Sequence, residues 1–241
     1  MKTLAHKQDS LLIVYDADTI QHPGTFLFDR GYWVKQGSVT GEAAGRGKAL
    51  LLDTDFGQAV LRQYLRGGWA AKASRDQYVF SGFGNSRPMM EFAILEQLCE
   101  AGLPAPRPIA AMCAREGALY RGWILMRMIP EAQPLADLVG ARRDDAELWR
   151  EVGACIRRFH DHGLVHADLN ARNILVGPDN GVHLIDFDRA RLRKGDSRAF
   201  ASNLKRLKRS LHKVWPEPDR QQLPWCWLRL QEGYDQPGAV S

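Results

Sequence analysis

Long apolar runs are missing from this chain. The run near the N-terminus, Leu11 to Tyr15, is far too short to span a bilayer, and the opening MKTLAHKQDS lacks signal-peptide anatomy. Membrane contact is therefore expected to be peripheral. Cysteines are few: Cys99, Cys113, Cys155 and Cys226 show neither CxxC spacing nor close pairing with histidine. They read as reduced, mostly buried thiols of a cytosolic protein rather than zinc ligands or disulfide partners. Acidic residues vanish between Arg189 and Lys213, where ten Lys/Arg stand against Asp196 alone. No aromatic-basic platform for stacking bases is apparent, so no nucleic-acid partner is expected.

With 241 residues, 45% hydrophobic and 25% charged, the chain suits one large domain or two small lobes sharing a cleft. The net charge of +5 and pI near 9.1 favour an anionic partner.

The chemistry concentrates in HADLNARNILV, His166 to Val176. Asp168 stands two residues after a histidine and five before the carboxamide Asn173. An apolar run follows, then a second from Val182 to Ile185 that ends in Asp186-Phe187-Asp188. This is the spacing of phosphoryl transfer from a nucleotide. One carboxylate, Asp168, accepts the proton of the attacking hydroxyl. Asn173 and Asp186 hold magnesium beside ATP. His166 reads as structural, bonding backbone and packing against Phe187.

Upstream, residues 1–35 read as irregular structure with edge strands. Gly45-Arg46-Gly47 is a candidate phosphate turn, leading into a strand at Ala49 to Leu52 and a returning strand at Gln58 to Tyr64. Asp55-Phe56-Gly57 spells a metal-binding tripeptide but lies between two strands and reads as a type I′-like or bulged hairpin turn. Arg62 occupies the strand position where a phosphate-pairing lysine is found in kinases, with Lys72 the alternative if the register differs. A helix over Met89 to Ala101 offers Glu91 or Glu96 as its partner, Glu91 preferred. Leu103 to Pro108 is an extended connector, Tyr120 to Met128 a strand, and a hinge is expected at about Arg127 to Gln133. Asp144 to His162 is an amphipathic helix closed by Gly163.

Phe200, Leu204, Leu207, Leu211 and Val214 form an apolar stripe through the basic segment, with Lys205, Arg206, Lys208 and Arg209 on the other faces. These cations suit a negatively charged membrane surface or phosphate-bearing substrate. Trp215, Trp225 and Trp227 read as core packing, with an interfacial role as the alternative. Ala167 replaces the usual arginine of protein kinases, and the chain ends 55 residues after Asp186 without an APE element. The acceptor is therefore expected to be a small molecule, a sugar or glycolipid headgroup.

Taken together, RGK after a glycine turn, VLRQYLRGG, SR-x3-EF-x2-L, GLPAPRPIAA, HADLNARNIL and IDFDRARLR resemble the Kdo kinases of Gram-negative bacteria, over about Gly45 to Leu211. The resemblance implies an α+β, protein-kinase-like two-lobed fold. A β-rich N-lobe would span residues 1–130 and a shortened, mostly helical C-lobe residues 131–241. It also implies ATP-dependent phosphorylation of the 4-hydroxyl of 3-deoxy-D-manno-octulosonic acid (Kdo) on a lipid A precursor. The reaction would take place at the cytoplasmic face of the inner membrane. Asp168 becomes the active-site acid, Asn173 and Asp186 the metal ligands, and Gly45, Gly47, Arg62 and Glu91 the nucleotide-binding set. A lipopolysaccharide heptose kinase or aminoglycoside-type phosphotransferase is the nearest alternative. A catalytically silent lipid-binding module is a further one, disfavoured by intact Asp168, Asn173 and Asp186.

Overall fold

The computed structural model describes residues 1–43, 49–65 and 76–236. The phosphate-turn candidates Gly45 and Gly47, and the alternative cation Lys72, lie outside them. The chain divides into two compact units, Met1–Gln97 with Pro106–Met128, and Leu98–Ala105 with Ile129–Ser241. A β-rich N-terminal sheet and a helical C-terminal part make it an α+β protein of the kinase-like kind.

The first unit contains β1 (Thr3–Gln8), β2 (Leu11–Asp16), α1 (Arg30–Lys35), β3 (Val39–Ala43), β4 (Ala49–Leu52), β5 (Ala59–Gln63), β6 (Tyr78–Val79), most of α2 (Arg87–Glu100), β7 (Pro108–Glu116) and β8 (Leu119–Arg127). The sheet order is β1-β2-β7-β8-β5-β4-β3, with β6 also pairing β8. Residues 1–35 are therefore more ordered than the sequence leads one to expect. β1 and β2 form a hairpin, and β2 lies inside the sheet with Ile13 fully buried. The short apolar pieces that look irregular singly are the inward residues of paired strands. Leu27, Phe28 and Trp33 cover the same core, which also takes Leu50 and Leu52 of β4 and Ala59 and Leu61 of β5. At its far end Asp16 is fully buried. Burial pushes its carboxyl up, but Arg107 Nη2 at 2.8 Å and Thr19 Oγ1 at 3.0 Å outweigh that and hold it below the usual carboxylate range.

Alternation along β5 decides where Arg62 goes. Ala59 and Leu61 point into the core, so Arg62 and Tyr64 share the opposite face. The turn before it is closed by Gly57 N–H to the Thr54 carbonyl at 2.8 Å. Gly57 is at φ 95° while Asp55 and Phe56 stay at negative φ, which makes the turn the bulged form rather than type I′. α2 starts two residues before the expected Met89, with Pro88 in its first turn. Gly122 on β8 lets that proline approach: a Cβ at Gly122 would lie 2.8 Å from Pro88 Cγ.

The second unit contains β9 (Gln133–Pro134), α3 (Leu135–Leu138), α4 (Ala146–Asp161), β10 (Leu164–Val165), β11 (Ile174–Val176), β12 (Val182–Leu184), β13 (Arg191–Leu192), α5 (Ser197–Val214) and α6 (Leu223–Asp235). Asp145 caps α4 by accepting from Leu148 N–H at 2.9 Å. The helix buries Leu148, Trp149, Val152, Cys155, Ile156 and Phe159, and Gly163 at φ 91° turns the chain out of it. α4 and α6 meet backbone to backbone at two glycines. A Cβ at Gly153 would strike the Leu230 carbonyl, and one at Gly233 the Arg150 carbonyl.

Trp215 and Trp227 are buried, Trp215 against Trp149 at 5.5 Å, so the interfacial alternative fails for both; Trp225 remains exposed. All four cysteines are free thiols, and burial pushes Cys155 up to about 12. No helix among the described residues is long and apolar enough to cross a membrane.

Candidate active site

The second unit delivers the acid by a short path. α4 ends at Gly163, β10 pairs with β13, and His166 follows as a buried pivot. Its Nδ1 accepts the Asp168 N–H at 3.1 Å, so the ring proton sits on Nε2 and is donated to the Ile185 carbonyl at 3.0 Å. Burial holds His166 below the ordinary histidine range against the pull of that carbonyl and of Asp186 and Asp168. A neutral ring is what the two bonds require, because a protonated one would have no acceptor for Asp168. Phe187 packs on this ring at 5.4 Å and on Phe159 at 5.9 Å, joining the loop to α4.

Asn173 and Asp186 are brought to one end of the β11–β12 hairpin. Ile174 pairs with Leu184, and Ile185 N–H extends the ladder to the Asn173 carbonyl at 3.0 Å. Asn173 Nδ2 donates to the Asp168 carbonyl at 2.9 Å, which leaves its Oδ1 as the oxygen for a cation. Asp186 sits at φ 65° and Arg189 at φ 62°, a left-handed conformation that costs a non-glycine residue ~1–3 kcal/mol and recurs at functional sites. The described residues hold no cluster of three His, Cys, Asp or Glu that would grip a metal alone. One carboxylate and one carboxamide oxygen suit magnesium, which keeps most of its shell for phosphates and water.

The Asp168 carboxylate is held from two sides. Asn170 Nδ2 reaches Oδ2 at 3.2 Å, and Arg206 Nη1 reaches Oδ1 at 3.1 Å. Its side chain nonetheless stays 61% exposed. Arg206 belongs to α5, and that contact is one of a series. Asn203 clamps His166 through both its amide atoms, at 2.9 Å to the N–H and 2.7 Å to the carbonyl. Ser210 Oγ accepts from Ala171 N–H at 3.1 Å. Residues 203, 206 and 210 lie on one face of the helix, so α5 runs beside the loop as a splint.

This face is not evident from the apolar stripe alone, and Arg206, expected at a membrane surface, also pairs with the loop. Its partner there is Asp168, and the Lys208 ammonium lies 5.1 Å from the Trp227 ring, while Lys205 and Arg209 are exposed. One signal was available: Asn203 falls on the apolar side of the helix, between Phe200 and Leu207, where a carboxamide needs a buried partner.

In the first unit, Arg62 Nη2 donates to Glu91 Oε1 at 2.6 Å, and Tyr64 Oη donates to the other carboxylate oxygen. Glu91 is 1% exposed and Arg62 21%. Glu96 instead accepts from Thr3 Oγ1. Burial and the neighbouring Glu91 charge push the Tyr64 phenol well up, so it remains a donor at any working pH.

Comparison with known proteins shows the family of the chain that carries these residues. The model of the lipopolysaccharide kinase (Kdo/WaaP) family matches residues 30–234. The chain belongs to this family. A protein of Stenotrophomonas maltophilia (strain R551-3) named 3-deoxy-D-manno-octulosonic acid kinase is 43% identical over 225 residues, covering 92% of this chain and 89% of its own. One of Xanthomonas euvesicatoria pv. vesicatoria (strain 85-10) with the same name is 41% identical over 223 residues, with the same coverage. As a family member this chain is a kinase, an ATP-dependent phosphotransferase.

Proposed function

We propose that this chain phosphorylates the 4-hydroxyl of a Kdo sugar on a lipid A precursor, using ATP with magnesium, as a peripheral enzyme at the cytoplasmic face of the inner membrane. The observation that carries the reading is Asp168, exposed at its carboxylate but fixed through backbone and side chain, in a chain that aligns over nearly its full length with named Kdo kinases. Asp168 takes the proton of the attacking sugar hydroxyl. Arg206 and Asn170 set the direction of its carboxylate, and the buried neutral His166 sets its backbone. Asn173 Oδ1 and Asp186 would hold a magnesium ion, which would supply positive charge to the nucleotide phosphates. Arg62, fixed by Glu91, grips nucleotide phosphates with a guanidinium in place of an ammonium. Gly45 and Gly47, outside the described residues, complete the proposed nucleotide-binding set. In this reading residues 1–130 act as the N-lobe and residues 131–241 as the C-lobe.

Incubation with labelled ATP, magnesium and a Kdo–lipid A precursor tests the assignment, with a heptosylated lipid and an aminoglycoside as controls. Label is expected in the Kdo lipid, and transfer only to the controls would overturn the reading. Asp168→Asn should lower turnover at least ~100-fold, the lower range of general-base catalysis, while nucleotide affinity stays nearly unchanged. A variant retaining a third of normal turnover would remove Asp168 from the base role.

A further inference from the structure

The stretch after Phe187 folds back on the strand that enters the catalytic loop. Leu192 pairs with Leu164 and Arg191 with Val165, and Arg193 N–H donates to the Gly163 carbonyl at 2.6 Å. A half-open surface depression of about 350 Å³ lies at this junction. Val165, Ala167 and Ala199 give it small or apolar walls, and Arg189, Arg191 and Arg193 supply its charge.

Three exposed arginines line it beside one carboxylate, and that carboxylate is already engaged. Asp196 Oδ1 caps α5 by accepting from Ala199 N–H at 3.0 Å, and its Oδ2 lies 3.6 Å from Arg193. Among the described residues no carboxylate pairs with Arg189 or Arg191. Three like charges around one cavity repel one another, and an entering oxyanion would relieve that repulsion while accepting bidentate hydrogen bonds. Ala199 sits in the first turn of α5, where the helix dipole adds to the positive field. Arg189, which lines this wall, holds a left-handed backbone at φ 62°.

The position is as informative as the charge. Ala167 lines the cavity and is the residue before Asp168, one Cα step of about 3.8 Å away. We propose that this cavity is an acceptor subsite, binding an oxyanion of the same molecule whose hydroxyl meets Asp168: a sugar carboxylate or a phosphate ester. The inference rests on the reading of Asp168 as the acceptor-facing base, and it deepens that reading by assigning acceptor recognition to Arg189 and Arg191. Small residues at 167 and 199 leave the room, and the arginines give the selectivity for an anionic glycolipid over a neutral sugar.

The test is a steady-state comparison of the wild type with the Arg189→Gln/Arg191→Gln double variant, its fold checked by urea midpoint. The acceptor KM is expected to rise at least about tenfold, as losing charge-assisted bonds implies. The KM for ATP and kcat at saturating acceptor should stay close to wild type. An unchanged acceptor KM in a folded variant overturns the proposal. Inorganic phosphate offers a second measurement on the wild type alone. It should compete with acceptor and not with ATP; competition with ATP only, or no inhibition, counts against the subsite. An acceptor with its carboxylate esterified separates the two anion sources. If the variant's defect disappears with the ester, the carboxylate is the ligand; if it persists, the phosphate is. Asp168→Asn is run alongside. Lost turnover there with an unchanged acceptor KM in the arginine variant defeats the subsite and leaves the base standing. Retained turnover defeats the base itself.

Discussion

Glu91 is a carboxylate with 1% of its side chain exposed, and it accepts hydrogen bonds from Arg62 and Tyr64. Removing Arg62 breaks a buried ion pair, a change that typically costs ~3–5 kcal/mol. Arg62→Ala should therefore lower the urea unfolding free energy by roughly that amount, and Arg62→Lys should recover much of the stability because the charge returns. His160 makes the opposite case, a buried ring that must stay neutral. It stacks on Phe200 at 4.5 Å and its Nδ1 meets Tyr234 Oη at 2.8 Å. Burial lowers its pKa to about 4, with Asp161 pulling it back up and Arg157 adding to the fall. The unfolded chain gains this proton near pH 6.5 and the folded one only near pH 4, so stability drops as pH falls through that window, by up to roughly 3 kcal/mol. Urea midpoints at pH 7 and pH 5 should differ in the wild type and converge in His160→Gln, apart from what His166 contributes in the same direction. Asp168, Asn173 and Asp186 were candidates in the sequence because of their spacing, and the fold sets Asn173 and Asp186 at one end of the β11–β12 hairpin. The pairing of Arg206 could not be read from the sequence, because 38 residues separate it from the carboxylate it holds.

Helices with clear periodicity, α4 and the apolar side of α5, were readable in the sequence to within two or three residues. β7 was not, since PIAAMCARE is buried on both faces through Cys113 and so shows no alternation. The closest packing in the second unit is equally silent. Gly153 and Gly233 look like ordinary helix-weakening glycines, yet each marks where α4 and α6 touch through backbone. Elsewhere Ala for Gly strengthens a helix; here its methyl group would enter a carbonyl of the neighbouring helix. Gly153→Ala and Gly233→Ala should each destabilise by on the order of 3 kcal/mol, read from the urea midpoint. A neutral or stabilising result would show that the helices can separate without loss.

Across the molecule the net charge of +5 is unevenly spread, and the run from Arg189 to Lys213 serves several ends at once. Arg206 faces the loop, Arg189 and Arg191 line a cavity, and Lys205 and Arg209 remain exposed for a surface. If those two meet an anionic membrane, each contributes ~1 kcal/mol, so Lys205→Ala/Arg209→Ala should weaken sedimentation with anionic vesicles roughly thirty-fold and reduce its salt sensitivity. Unchanged sedimentation would exclude Lys205 and Arg209 from any membrane contact. The splint formed by α5 has one more consequence, for how this protein can vary in length. One residue gained or lost advances the helix by about 100°. Inside the span from Asn203 to Ser210 such a change would turn the later contacts away from the loop while the earlier ones held. That span therefore works as a fixed ruler for the Asp168 loop, and insertions are expected to be tolerated only on either side of it.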